Sequence, residues 1–189
     1  MIAKDVRDWL LAWDPAQWFD AVADIERERE TRDTIADFLA AHPDGLDRSC
    51  RDGHVTASAF VVDIWSRRAA IVNHGLAGRW LQPGGHLEVS DLDVPAAAAR
   101  EAVEETGLVV AVDPRPLRLD IHPVQCRLAD ASKGPSTHFD VGLLAIALPG
   151  APTRPASDPV AWWPLDGPEV GDLTMKRLRH AALRRIDQK

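Results

Sequence analysis

The periodicities of this chain predict an α+β fold, on three observations. Apolar residues recur at spacings of three and four up to about residue 42, the pattern of amphipathic helices. From His54 onward they run together or alternate over short stretches rich in Val, Ile, Ala and aromatics, as strands do. A short Ala-rich segment with helical spacing interrupts those strands, and another helical segment closes the chain over 173–186. At 189 residues the chain has the length of about one domain and can bury an adequate core without disulfide or metal staples. No internal repeat or low-complexity tract is present in the sequence.

Residues 4–13 place Val6, Trp9, Leu10 and Trp13 on one side of a first helix, and Asp14-Pro15 restarts the chain. A second apolar pattern runs through Trp18, Phe19, Val22 and Ile25. A third, through Ile35, Phe38 and Leu39, ends before Pro43-Asp44-Gly45. The charge run over 26–33 between them reads as a solvated face, and the Trp and Phe stripes read as core. A helical cap that pairs subunits or roofs a cleft is the functional alternative for this segment.

Strands are expected at 56–63, 69–73, 80–81, 109–112, 117–126 and 139–147, the last nearly all apolar and therefore central in a sheet. The proline-rich piece 149–159 reads as a surface loop. In the closing helix Met175, Leu178, Ala182 and Leu183 are expected inward. Lys176, Arg177, Arg179, Arg184 and Arg185 are expected largely outward, since cations near a helix C-terminus complement its dipole.

The Ala-rich segment carries the chemistry. Asp93 is its N-cap candidate, Pro95 sits in the first turn where its missing N–H costs nothing, and Ala96 to Ala99 are strong helix formers. Gly107 suits a left-handed stop just beyond Thr106. On that helix Glu101 and Glu105 are four residues apart and Glu104 is three beyond Glu101, so the three carboxylates share a side. Crowding like charges costs a few tenths of a kcal/mol per pair, roughly, and is unrewarded unless a cation sits among the oxygens. The plain alternative is a solvated surface helix with an Arg100 to Glu104 ion pair.

The segment from Gly85 to Leu108 resembles the Nudix box: Gly, five residues, Glu, seven residues, then Arg-Glu, an aliphatic, any residue, Glu-Glu, any residue, Gly and an aliphatic. Gly85 opens it. Arg100-Glu101-Ala102-Val103-Glu104-Glu105-Thr106-Gly107-Leu108 closes it, with Ala102 small for its slot. The first half departs, with Asp91 where the pattern has Glu and eight residues between Asp91 and Arg100 where it has seven. The lead-in from Arg79 to His86 and the segment Trp162-Trp163-Pro164-Leu165-Asp166 are also similar to those of many members.

The resemblance implies an α/β/α sandwich with a mixed β-sheet over residues 51–189, preceded by an N-terminal helical extension, 1–50, packed on that domain. It implies a hydrolase cleaving a phosphoanhydride in a nucleoside diphosphate linked to another group. Glu101, Glu104, Glu105 and the carbonyl of Gly84 would hold Mg2+, with Mn2+ as a substitute. Arg100 would orient the carboxylates by ion pairing, with Asp91 as a partner. Glu101, Glu105 or a residue on a later loop would take the proton of the attacking water. Members of the family often pair, so a homodimer is within its range. Two other readings share the fold. A silent nucleotide-binding or regulatory module is disfavoured by the complete Glu cluster, and an isopentenyl diphosphate isomerase by the lack of Cys over 80–86.

Composition agrees with these expectations. Cys50 and Cys126 form neither a metal-ligand pattern nor a disulfide framework, which points to a reducing cytoplasm. Charges begin at Lys4 and Asp5, and nowhere do eighteen apolar residues run uninterrupted, so neither secretion nor membrane spanning is supported. A net charge of −7 argues against nucleic acid as a partner and leaves a small nucleotide or other diphosphate as the expected substrate.

Outside the box, His138 and Asp140 are two apart on one strand, as are Asp120 and His122 on another, so each pair shares a face. Both pairs are candidates to enter the cleft and meet substrate phosphate or a second metal, or else hydrogen-bonded core or edge residues. Lys133, in the 127–137 loop, is a further phosphate candidate. Glu88 reads as support for the metal ligands, alternating with His86. His42, His54, His74 and His180 read as ordinary surface residues.

Overall fold

The computed structural model describes every residue except 75–77, 125–135, 151, 152, 154, 158, 168–172, 188 and 189. Lys133 and Cys126 lie outside the described residues, as does the side chain of His74. The chain runs α1 (Ala3–Ala12), a 3₁₀ turn (Pro15–Gln17), α2 (Val22–Ala41), β1 (His54–Asp63), β2 (Arg68–His74), β3 (Arg79–Leu81), β4 (Gly84–His86), α3 (Val94–Thr106), β5 (Val110–Val124), β6 (Ser136–Ala147), β7 (Val160–Pro164) and α4 (Leu173–Asp187).

Among the described residues seven strands make one mixed sheet. Its path is β3-β2-β1-β6-β5, with β4 also paired to β1 and β7 to β2. β1 and β6 run parallel at the centre and the other pairs are antiparallel. Both central strands are buried for most of their length, which is why their apolar residues run together.

Strand period sends alternate residues to opposite faces. Ala57 and Gly85 are register partners on one face, where the Glu101 carboxylate of α3 lies against Gly85. The other face carries His54, Thr56 and Ser58 of β1, His138 and Asp140 of β6, and Arg118, Asp120 and His122 of β5. There α2 reaches Arg118 through Glu28, and Leu178 of α4 lies against Gly142. Helices therefore cover both faces of an α+β sandwich.

Small residues set the depth of α3, since Ala97, Ala98 and Ala102 are wholly buried and let its backbone approach the sheet. Asp93 caps it by accepting the Ala96 N–H at 2.8 Å, and Gly107 at φ 75° ends it in the left-handed conformation. Val6 and Leu10 of α1 join the same apolar core as Ile35 and Leu39 of α2 and Leu117 and Leu119 of β5. Each such side chain contributes roughly 1.5–3 kcal/mol when fully buried.

Four local expectations change. The second and third helical patterns are one helix, α2, while Trp18 and Phe19 precede it. The strands expected at 109–112 and 117–126 are one long strand, β5, which carries a bulge between Val112 and Arg118 that absorbs Pro114 and Pro116.

The charge run is not all solvated. Glu28 is buried, its carboxylate 2.7 Å from the Arg118 guanidinium and accepting the Leu119 N–H at 2.9 Å. On α4, Arg179 and Arg185 are buried too. Arg179 donates to the carbonyls of Leu165 and Gly167. Arg185 stacks over the Trp18 ring, 3.9 Å from its centroid, and donates to Asp113 at 3.2 Å and the Pro116 carbonyl at 2.9 Å. Guanidinium groups tolerate this because their planar, weakly hydrated donors are met by carbonyls and an aromatic face.

Candidate functional site

The site is built where β4 meets α3. Gly84 and Gly85 open β4, paired with Ser58 and Ala57 of β1. The lack of side chains at both is a geometric requirement. A Cβ on Gly84 would fall 2.6 Å from Ser58 Cβ, and one on Gly85 would fall 2.6 Å from Glu101 Oε1. Glu105, one helical turn beyond Glu101, accepts the Gly84 N–H on Oε2 at 3.1 Å. Two of the three box carboxylates are thus laid against the glycine pair.

Arg100 is the hub. It grips Asp91 through Nε to Oδ1 at 3.0 Å and a terminal nitrogen to Oδ2 at 3.1 Å, and it donates to the His86 carbonyl at 2.8 Å. Its other terminal nitrogen donates to Glu101 Oε1 at 2.8 Å and lies 3.4 Å from Glu104 Oε2. These bonds, Asp91 foremost, raise the Arg100 guanidinium well above its ordinary range. Asp91 also accepts the Glu88 N–H at 2.7 Å, closing the loop between β4 and α3. Burial pushes the Asp91 carboxyl up, but Arg100 and the Glu88 amide outweigh it and hold the group below the usual carboxylate range. Glu88 itself is exposed, lies beyond the end of β4, and stands 3.9 Å from Arg100.

Burial raises the Glu101 carboxyl above its ordinary value against the pull of Arg100, and the neighbouring Glu104 charge adds to the rise. Glu105 is buried, and Glu104 is the most open of the three. Carboxylate oxygens are the hard donors that Mg2+ or Mn2+ takes, so the donor set on this side of α3 fits a divalent cation. Gly84 enters through its amide, which the glutamate accepts, while its carbonyl was the expected ligand.

The remaining expectations divide. His122 and His138 do come together, with ring centroids 5.6 Å apart, and His122 Nδ1 is 2.8 Å from Asp120. That bond raises the His122 imidazole above its ordinary value against the effect of burial. Asp140 makes the hydrogen bonds of a core residue. It is buried, its two oxygens accept the hydroxyls of Thr56 at 2.8 Å and Ser58 at 2.6 Å, and burial raises its carboxyl. It ties β6 to β1 across the parallel register, the hydrogen-bonded core role.

His54, expected at the surface, is buried and packs with His86 and His138. Burial, with neighbouring positive groups, lowers His86 to about 4 and His138 to about 3. Sequence reasoning missed this cluster, because it depends on the register that sets β4, β1, β6 and β5 side by side. The two-residue alternations of His138 with Asp140 and of His86 with Glu88 are linear traces of it.

Among the described residues, two groups of three side chains bring metal-ligand atoms within 4.8 Å of one another: His54 with His86 and His138, and His42 with Asp44 and Cys50. The three box glutamates are not such a group. Arg100 holds Glu101 and the Gly84 amide holds Glu105, while like charge opposes closer approach.

Among described residues no helix is long and apolar enough to cross a membrane. No curated protein matches the chain. Its backbone is similar to that of several solved structures. One is a NUDIX hydrolase from Nitrosomonas europaea, 26% identical over 60% of this chain and 74% of that one, with a TM-score of 0.42. Another is an ADP-ribose pyrophosphatase from Streptococcus suis 89-1591, 20% identical over 71% and 93%, with a TM-score of 0.48. A third is a UDP-X diphosphatase, 18% identical over 100% and 96%, with a TM-score of 0.46. The sequence pattern of the NUDIX domain matches residues 56–183, a span that takes in the glycine pair, α3 and all of the sheet from β2 to β7. With that match over more than half its length, the chain belongs to the NUDIX domain family, the family of pyrophosphohydrolases that act on acid anhydrides.

Proposed function

We propose that this chain is a Mg2+-dependent hydrolase that cleaves a phosphoanhydride bond in a nucleoside diphosphate linked to another group. The observation that carries the reading is the placement of Glu101 and Glu105 against Gly85 and Gly84, with Arg100 binding Glu101, Asp91 and the His86 carbonyl at once. A surface helix with one ion pair has no need of a bare glycine pair beneath its carboxylates.

Glu101, Glu104 and Glu105 are the residues that would hold the cation, with Mn2+ able to take its place. When bound, a divalent cation supplies positive charge that offsets the repulsion between phosphate oxygens and an incoming hydroxide. The protein's own groups do the rest. Arg100 fixes the Glu101 carboxylate by Oε1 and stays protonated throughout, a positioning role. Glu101, Glu105 or a residue on a later loop takes the proton from the attacking water. The water oxygen bonds to phosphorus and the bridging oxygen leaves with the other phosphate. The products are two phosphorylated fragments, or a nucleotide and phosphate.

The division of the chain at about residue 50 into an N-terminal helical extension and a hydrolase domain belongs to this proposal, as does a cytoplasmic location. The first is supported by the matched span beginning at residue 56, and the second by a free, buried Cys50.

The test is to incubate the full chain with Mg2+ and a panel of nucleoside diphosphate derivatives, couple the products to a phosphatase and measure phosphate. Turnover of at least one compound, abolished by a chelator, is expected. Silence across the panel by a folded protein that still binds one of those nucleotides would replace the hydrolase with a binding module.

A further inference from the structure

We propose that His54, His86 and His138 form a binding site for a divalent transition-metal ion of the zinc class, separate from the carboxylate site on α3. The three imidazoles come from three different strands. Register sets His54 of β1 beside His138 of β6, and Thr56, two residues on from His54, opposite His86 of β4. Their ring centroids are 4.8, 4.9 and 5.2 Å apart, and one ligand nitrogen from each lies within 4.8 Å of the other two.

Zn–N bonds of about 2.0–2.1 Å place tetrahedral ligand nitrogens roughly 3.3 Å apart. Rotation of imidazoles on fixed strands closes the remaining distance. Strands supply a stiff frame for such a site, since β1 is central in the sheet and pairs with both β4 and β6.

The donor set decides which ion it takes. Three imidazole nitrogens suit zinc, cobalt, nickel or copper and not magnesium, whose ligands are oxygen. Three protein ligands leave a fourth position for water or a ligand oxygen. The surroundings resemble the supporting partners that metal-bound histidines have. Beside His138 stands a fourth imidazole, His122, itself anchored by Asp120 at 2.8 Å.

The histidine site is distinct from the carboxylates because Gly85 and His86 are consecutive on β4 and face opposite sides of the sheet. Glu101 lies on the Gly85 side. The two sites are therefore separable by mutation.

Full-length protein stripped with a chelator and dialysed is titrated with Zn2+ against a chromophoric competitor, and with Co2+ by absorption spectroscopy. The parent is compared with a Glu104→Gln/Glu105→Gln variant, with His138→Ala and with His86→Gln. Circular dichroism verifies the fold of each, and His86→Gln serves if His138→Ala does not fold. The expected result is one tightly bound Zn2+ per chain, ligand-field bands of a four-coordinate nitrogen-rich Co2+ site, and both features kept in the glutamate variant. Removal of an imidazole should weaken Zn2+ by about a hundredfold, at the upper end of what loss of even an outer partner costs. Undiminished Zn2+ affinity in the folded histidine variants would overturn the proposal, as would loss in the glutamate variant alone or no binding by the folded parent.

Discussion

Arg100 and Asp91 are joined by two parallel hydrogen bonds, of 3.0 and 3.1 Å, that lock the loop after β4 to the second turn of the helix it leads into. Bidentate pairing of this kind fixes direction as well as distance. It holds the guanidinium, nine residues on from Asp91, where its remaining donor meets Glu101, the next residue along, with the Asp91 side chain only 5% exposed. The departure from the family pattern at this position thus keeps a carboxylate in contact with the box arginine.

Asp91→Ala is expected to cost about 2–3 kcal/mol of stability in denaturant unfolding, the usual loss for hydrogen bonds between charged groups with little solvent access. Phosphate release should fall with it, because Arg100 is then free to turn away from Glu101. Unchanged stability and unchanged turnover would separate this pair from the site.

Gly85→Ala tests the glycine requirement. The new methyl would sit within 2.6–2.9 Å of the Glu101 carboxylate atoms and push them aside. Since the obstructing atoms are the end of a flexible side chain, the fold should survive with a small loss, under about 1 kcal/mol, while kcat drops at least tenfold. A thermal melt and steady-state kinetics on one preparation give both values.

Much of this arrangement was legible from the chain because it is local. The Asp93 cap, the Pro95 start, the alanine run and the Gly107 stop all lie within fifteen residues, and the structure forms α3 over Val94–Thr106 as they dictate. What sequence periodicity missed is nonlocal. Nothing in the 26–33 run marks Glu28 as the one residue of that run that meets Arg118, ninety positions away. The closing helix looked cationic and outward because arginine is usually solvated, yet Arg185 finds Trp18 and Asp113 only once β5 and the segment before α2 are brought together. Four histidines spread from 54 to 138 become neighbours through strand register alone.

Glu28→Ala leaves the buried Arg118 guanidinium without the carboxylate 2.7 Å from it, and should destabilise the fold by about 3–5 kcal/mol. A double variant, Glu28→Leu with Arg118→Met, should recover most of that loss, because the penalty belongs to the orphaned charge more than to the missing attraction. Equal losses in the single and double variants would contradict this. Chemical denaturation of the three proteins decides it.

Asp113 gives a pH-dependent case. Burial raises its carboxyl, but Arg115 and Arg185 outweigh that and hold it below the usual carboxylate range. With a folded pKa below the unfolded one, its contribution is fully present above about pH 4 and is lost as pH falls through the lower folded value. Asp113→Asn should therefore be less stable than the parent at pH 7, with the gap narrowing on acidification toward pH 3. A gap that widens on acidification would reverse the sign of the argument.

The most direct measurement is kcat for Glu105→Gln, with Glu104→Gln beside it, on the compound the parent turns over best in Mg2+. Glutamine keeps the size of the side chain and an oxygen for the Gly84 N–H, so the fold should hold while the cation loses a charged ligand. The account predicts a fall of about a thousandfold in a protein whose circular dichroism and melting temperature match the parent's. Parent-like turnover in both folded variants would show that these glutamates do not carry the reaction.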